Sequence, residues 1–130
     1  MSIRYKLNDF LDSQNFKVIK EDDSDFFGDF YFIYSNGIIN VRLISDRSIE
    51  SLDLCNVMDL NYWFELTLIK AVITNEQDLL KITTINDDLN FLEEYFLEIC
   101  ELLNSQNFSS IKRKIEVLKD RRTNQLFSNC

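Results

Sequence analysis

The feature that most constrains the fold is the Asn36-Gly37 pair, which lies between two runs of apolar and aromatic residues. Both residue types accept positive φ, which a tight two-residue hairpin turn requires at its two central positions. The sequence therefore predicts that residues 31–35 and 38–44 pair as antiparallel strands, with positive φ at both Asn36 and Gly37.

Strand patterns lie on both sides of this hairpin. Residues 16–20 alternate between apolar and polar, and apolar positions within 49–54 indicate another strand after a turn at Ser45-Asp46-Arg47-Ser48. An acidic, turn-forming loop at residues 21–25 separates the first strand from the hairpin. We expect an antiparallel meander of three to four strands, and the apolar face of such a sheet has to be covered by other elements.

Helices predicted on both sides of the meander in the sequence supply this cover. Apolar residues at helical intervals predict an N-terminal helix that ends near Gln14-Asn15 and a last helix that begins near Phe108. Residues 60–73 are apolar nearly all round, which favours a buried helix, although a strand also fits. Residues 86–104 form a further predicted helix, with Asn86 as its N-cap and carboxylates in its first turn.

The expected apolar faces of these helices can be stated residue by residue. They are Ile3, Leu7, Phe10 and Leu11 in the first helix; Leu89, Leu92, Phe96, Ile99 and Leu103 in the helix at 86–104; and Phe108, Ile111, Ile115, Leu118 and Leu126 in the last. The chain has no Pro and only 2 Gly, so no linker composition divides it. The sequence predicts a single α+β domain over residues 1–130, with an N-terminal helix, the meander, and three helices packed on the sheet.

Charge and composition exclude several classes of function. The net charge of −8 disfavours nucleic acid and anionic membrane surfaces as partners and favours a basic partner. Charges interrupt every apolar run, so no transmembrane segment is predicted, and the N-terminal residues lack a signal-peptide pattern. Cys55, Cys100 and Cys130 are widely spaced, as expected for reduced thiols in a cytoplasmic protein.

The residues needed for catalysis or metal binding are largely missing. The chain has no His, which removes the common nucleophile pairs, general bases and His-based zinc sites. Its cysteines and glycines form neither a zinc motif nor a phosphate-binding loop. Residues 23–28 superficially match a calcium loop, but Phe27 and Tyr34 stand where ligands are required. We therefore expect no enzyme activity, catalytic residue, metal or cofactor.

Two groups of carboxylates are the candidate partner-binding residues. Asp22, Asp23, Asp25 and Asp29 belong to the acidic loop, whereas Asp87, Glu94, Glu98 and Glu101 form a stripe on the polar side of the helix at 86–104. Between Glu76 and Glu101 there are eight carboxylates and only one basic residue, Lys81. A surface kept for a cationic partner accounts for this imbalance, and a solvated acidic face is the alternative.

A basic cluster occupies the last helix. It consists of Lys112, Arg113, Lys114, Lys119, Arg121 and Arg122. No aromatic residues alternate with these cations, so nucleic-acid binding is disfavoured. We expect the cluster to pair with the acidic helix or to face solvent.

Three segments give the chain a resemblance to known proteins. They are Phe26-Phe27-Gly28-Asp29 before a strand, Ile44-Ser45-Asp46-Arg47-Ser48 between strands, and Arg121-Arg122-Thr123-Asn124-Gln125-Leu126-Phe127 near the end. In layout over most of its length, the chain resembles the small acidic immunity proteins of bacterial contact-dependent inhibition and related polymorphic toxin systems.

This resemblance implies a non-enzymatic inhibitor that binds a cognate toxin domain in the cytoplasm, often a basic nuclease, at its active site or at an exosite. Buried aromatic anchors would set the lifetime of such a complex, and Tyr31, Tyr34, Tyr62 and Trp63 are the candidates. The alternative is a structural or adaptor domain that acts through homo-oligomerisation or in a larger assembly.

Overall fold

A computed structural model of the protein describes residues 3–22, 29–47 and 49–128. Its first part comprises α1 (Ile3–Ser13), β1 (Lys17–Asp22), β2 (Phe30–Ser35), β3 (Ile39–Asp46) and β4 (Ile49–Asn56). Its second part comprises β5 (Phe64–Glu65), α2 (Leu66–Thr74), α3 (Ile85–Glu94), α4 (Phe96–Leu102) and α5 (Phe108–Ser128). The fold is α+β, in the predicted order of helix, sheet and helices.

The five strands form one antiparallel sheet whose spatial order follows the sequence, β1 to β5. The predicted sheet had three to four strands. The fifth strand, β5, arises because residues 60–73 are not a single helix but contain β5 and most of α2. Phe64 and Glu65 pair with Leu54 and Asp53 before the chain turns into α2. The apolar character of this segment is explained by Phe64, which is 1% exposed in the core, and by the buried side of α2.

The predicted hairpin is confirmed, but its turn differs in detail. Strands β2 and β3 pair from Phe30–Ser45 to Ser35–Asn40. Gly37 has φ +89°, whereas Asn36 does not have positive φ. Instead, Oδ1 of Asn36 accepts hydrogen bonds from the backbone N–H groups of Ile38 and Ile39, at 2.9 and 2.8 Å. The prediction of positive φ at Asn36 was wrong: these side-chain bonds, together with a backbone bond of 3.3 Å from Asn36 N–H to the carbonyl of Ile39, close the turn with positive φ at Gly37 alone of the two residues.

One face of the sheet and the helices enclose a continuous apolar core. Alternate residues of the strands point into it, which follows from the two-residue period of a strand. The buried strand residues include Phe32, Tyr34, Val41, Leu43, Leu52, Leu54 and Phe64, and the buried helix residues include Leu7, Leu11, Leu66, Ile69, Leu89, Leu92, Ile99, Ile111 and Ile115. The predicted packing of helices on the sheet is therefore confirmed.

The helix predicted at 86–104 begins earlier and is interrupted. Thr84 is its N-cap, and Thr84 and Asp87 form a reciprocal capping box, so the assignment of Asn86 as the cap was wrong. Tyr95, with φ −107° and ψ 22°, separates α3 from α4. Hydrogen bonds from Tyr95 N–H to Phe91 and from Ile99 N–H to Tyr95 nevertheless continue the helical pattern across the break. The predicted apolar face is buried on both sides of it.

The capping box gives a direct test of this correction. Thr84→Ala removes the hydroxyl that accepts a hydrogen bond from the Asp87 N–H, and we expect it to lower the free energy of unfolding by about 1 kcal/mol. Asn86→Ala is the matched control and should cost nothing, because Asn86 is exposed inside the helix, where alanine is favoured. Urea denaturation of both variants measures the difference, and an equal loss in the two would contradict the assignment.

The last helix agrees with its predicted apolar stripe only in its first half. Ile111, Ile115 and Leu118 are buried, but Leu126 is 55% exposed, so the stripe does not extend to the end of α5. Within the described part of the chain, no helix is both long enough and apolar enough to cross a bilayer.

Candidate binding surface on the open face of the sheet

The face of the sheet that points away from the helices is only partly covered. The residues that alternate with the core positions of β2 and β3 lie on it, and Trp63, which precedes β5, contacts it through Arg42. We call this surface the open face and define it by its half-buried side chains, Tyr31, Ile33, Arg42, Ile44 and Trp63. The open face is therefore mainly aromatic and aliphatic, with a single cation among these residues.

Arg42 is held rigidly at the centre of the open face. Its Nη2 atom donates to Oδ2 of Asp53 at 2.8 Å, directly across the β3–β4 ladder. Its guanidinium carbon lies 4.1 Å from the centroid of the Trp63 ring. Exposed fractions of 25% for the Arg42 side chain and 11% for that of Asp53 show that the pair is largely removed from water. A planar cation fixed in this way loses little conformational entropy when a partner binds it.

Two ionisable groups near Arg42, Asp53 and Cys55, have pKa values raised by burial. Burial raises the pKa of Asp53, although the hydrogen bond from Arg42 opposes this shift. Burial also raises the pKa of the Cys55 thiol to about 11, which leaves it protonated and unreactive at neutral pH. The sequence expectation of an inert, reduced thiol at Cys55 agrees with this environment.

Two polar atoms of the open face have no hydrogen-bond partner within the described ranges. They are Nε of Arg42 and Oδ1 of Asn40, both shielded from solvent, and Asn40 as a whole is 4% exposed. Asn40 and Arg42 are two residues apart on β3 and so point to the same face. Because one atom is a donor and the other an acceptor, this part of the surface retains hydrogen-bonding capacity that the chain itself does not use.

The segment that carries Trp63 is anchored to α5 on both sides. Tyr62 donates a hydrogen bond to Glu116, and the Nζ atoms of Lys112 and Lys119 lie 4.5 and 4.7 Å from the centroid of its ring. Burial and the Glu116 carboxylate raise the pKa of Tyr62, so its hydroxyl remains protonated. Tyr62 therefore holds the segment before β5 against α5. Its side chain is half-buried, and its role as an anchor for a partner stays a prediction.

A second anchor follows Trp63 immediately. Arg122 of α5 binds Glu65 of β5 through two hydrogen bonds, of 2.7 and 3.1 Å, and Lys112 binds Asp59 at 3.0 Å. These pairs correct one alternative for the basic cluster, its pairing with the acidic helix, whereas Arg113, Lys114 and Arg121 are exposed, as the other alternative expected. Three of its members contact the segment around β5 or their own helix, through Asp59, Tyr62, Glu65 and Glu116, and none of the described ion pairs joins the cluster to the acidic helix.

The Glu65–Arg122 pair should make stability depend on pH. The hydrogen bond from Arg122 lowers the pKa of Glu65, so this carboxylate stabilises the fold above its ordinary pKa of 4.5, and the contribution is lost as the pH falls through the lowered value. Glu65→Gln should therefore reduce stability at pH 7 and flatten its decline below about pH 5. Thermal unfolding from neutral to acidic pH measures both effects, and parallel curves for the two proteins would contradict the assignment.

Part of the predicted acidic loop lies at one end of the open face. Asp22 pairs with Tyr31 in the ladder, and Oδ1 of Asp29 accepts a hydrogen bond of 2.7 Å from the backbone N–H of Arg47. Asp46 lies in the same region, at the end of β3. We call Asp22, Asp29 and Asp46 the acidic end of the open face. Asp23 and Asp25, like residues 23–28 that superficially match a calcium loop, lie outside the described residues.

The second acidic group lies elsewhere on the molecule. Glu94, Glu98 and Glu101 are exposed on α3 and α4, in the helical layer that covers the other face of the sheet. The structure therefore does not bring the two predicted acidic surfaces together. The role of these three glutamates in binding remains a prediction.

The aromatic residues predicted as interface anchors differ in their exposure. Tyr34 is 2% exposed and belongs to the core, so it cannot be an interface anchor. Tyr31 and Trp63 remain partly accessible on the open face. Arg42 was not among the residues predicted from the sequence. The register in which Asp46 pairs with Ile49 also places Arg42 opposite Asp53.

Within residues 3–22, 29–47 and 49–128, no group of three or more Cys, Asp or Glu side chains is placed to hold a metal ion. Neither the models of known protein families, nor the curated proteins, nor the solved structures include a significant match to this chain. Function is therefore inferred from the surface of the molecule itself.

Proposed function

We propose that this protein is an immunity protein that neutralises a cognate basic toxin domain by binding it through the open face. The observation that carries the proposal is the rigid Arg42–Trp63 stack, with Tyr31, Ile33 and Ile44 on the same face. Tryptophan, tyrosine and arginine are the residues most enriched at energetic centres of protein interfaces. Because the stack is formed in the free protein, little ordering is required on binding.

The acidic end supplies the second component of recognition. Asp22 and Asp46 are exposed beside the open face, and the whole chain has a net charge of −8. Such a field accelerates association with a basic partner and discriminates against acidic ones. In this proposal the acidic end orients the toxin domain, and the open face determines how slowly it dissociates.

Co-expression tests this function. The probe is the toxin domain encoded next to the gene for this protein, produced in bacteria with and without it. We expect the domain to stop growth when produced alone, and the wild-type protein to restore growth and to co-purify with the domain. Failure of the wild-type protein to restore growth would overturn the proposal.

Paired variants locate the binding surface in the same assay. The double variant Ile33→Asp/Ile44→Asp replaces two apolar side chains of the open face by carboxylates, which removes the apolar contact surface and should abolish rescue. The matched control Ile82→Asp changes an isoleucine that is 94% exposed and lies next to Thr83, which bonds to Asp88 of α3 in the helical layer. Equal rescue by both proteins would exclude the open face as the contact surface.

A further inference from the structure

Two surfaces of the helical layer have opposite net charge, and each has exposed apolar residues among its charged ones. One is a groove between α2 and α5, and the other is a projection on α4. Both lie away from the open face, and neither is used in the proposed function.

The groove has an apolar floor, and its rim carries two cations, Lys114 and Arg121, and one carboxylate, Glu76, so its net charge is positive. Its volume is about 330 Å³, and Val72 of α2 and Leu118 of α5 form part of its lining. Val117, which is 57% exposed, lies between Lys114 and Arg121 on α5, three and four residues away. Neither cation takes part in an ion pair among the described residues.

The projection has the opposite character. Leu97 of α4 is 82% exposed, between Phe96 and Ile99, which pack into the core at 8% and 0% exposure, with Glu98 next to it. Glu94 and Glu101 lie three and four residues from it, and Glu98 is adjacent, so carboxylates surround the leucine. None of these three side chains forms an ion pair within the described ranges.

From this complementarity we infer that the groove binds the projection of a second copy of the chain. Leu97 of one copy contacts Val72, Val117 and Leu118 of the other, while Glu94 and Glu98 pair with Lys114 and Arg121. A two-fold axis repeats the contact, so each copy contributes one groove and one projection. The acidic stripe that the sequence assigns to a toxin contact thereby becomes a dimer contact.

The arrangement resolves two features that are otherwise unexplained. The proposed dimer buries the exposed side chain of Leu97. It also gives Glu94 and Glu98 partners of opposite charge, Lys114 and Arg121. Each copy also carries a net charge of −8, so long-range repulsion opposes association and the dimer should depend on protein concentration. Because the contacts use the helical layer, both open faces of the dimer remain free.

A charge-exchange experiment tests the inference by sedimentation velocity. The wild-type protein should double its molar mass as its concentration rises. Glu94→Lys/Glu98→Lys and Lys114→Glu/Arg121→Glu should each remain monomeric, since like charges then face each other. An equimolar mixture of the two variants should dimerise again, because both contacts of the mixed pair have opposite charges.

Each alternative result overturns the inference. A wild-type protein that stays monomeric up to its solubility limit contradicts it, and so does a mixture of the two variants that stays monomeric. The four changed side chains are exposed, so circular dichroism should confirm unaltered folding. The monomeric variants should still rescue growth in the toxin assay, which separates failure of the dimer from failure of the proposed function.

Discussion

Replacing Trp63 by alanine should weaken binding of the toxin domain about 30-fold or more, equivalent to about 2 kcal/mol for an interface centre of this type. The substitution removes the largest side chain of the open face and the surface against which Arg42 stacks at 4.1 Å. Without that stack, the guanidinium keeps its hydrogen bond to Asp53 but loses the ring that fixes its plane, and a partner has to order it further on binding. Isothermal titration calorimetry with the purified toxin domain measures the change.

Two comparisons make this prediction specific. Trp63→Phe retains an aromatic ring for Arg42 and should recover a large part of the affinity. In the wild-type protein Trp63 is the only tryptophan, so its fluorescence reports directly on the open face. We expect the emission spectrum to shift when the toxin domain binds. An unchanged spectrum together with unchanged affinity of Trp63→Ala would place the interface elsewhere.

The parts of the fold that the sequence predicted correctly depend on short-range patterns. Strand β3 and helix α3 each repeat their apolar residues at the period of the element, and their buried faces follow from that repeat. The missed strand β5 has only two residues, so it leaves no periodic signal. Its position depends on pairing with β4, ten residues away along the chain. The N-cap was misplaced because Thr84 and Asn86 are both acceptable caps, and the capping box of Thr84 with Asp87, a local signal three residues away, was not used.

The candidate site was harder to predict because it requires residues from several strands. Arg42 lies in an apolar run, where a single cation gives no local indication of its partner. Its importance appears only when the register places Asp53 opposite it and the chain before β5 brings Trp63 over it. The clusters of charged residues are visible in the sequence, but the partners of their side chains are not. Three of the six basic residues of α5 contact the segment around β5, which sequence spacing does not indicate.

The largest loss of stability from one polar side chain is expected at Asn56, which joins the sheet to the helical layer. Asn56 is 1% exposed, and its Nδ2 donates to the carbonyl of Leu103 at 2.8 Å. Its Oδ1 accepts from the backbone N–H of Met58, also at 2.8 Å. Asn56→Ala leaves a donor and an acceptor unpaired, and we expect a loss of about 3 kcal/mol in the free energy of unfolding.

A second substitution at the same position separates the two bonds. Asn56→Asp keeps an acceptor for Met58 but, when ionised, has no proton to donate to Leu103, and the buried charge is costly. Burial should raise the pKa of the new carboxyl, so acidification protonates it in the folded state first and restores a donor. Its stability should therefore rise relative to that of Asn56→Ala as the pH falls. Urea denaturation at neutral and acidic pH measures this, with the exposed Asn61→Ala as the control. A constant difference between the two Asn56 variants would show that the hydrogen bond to Leu103 contributes little.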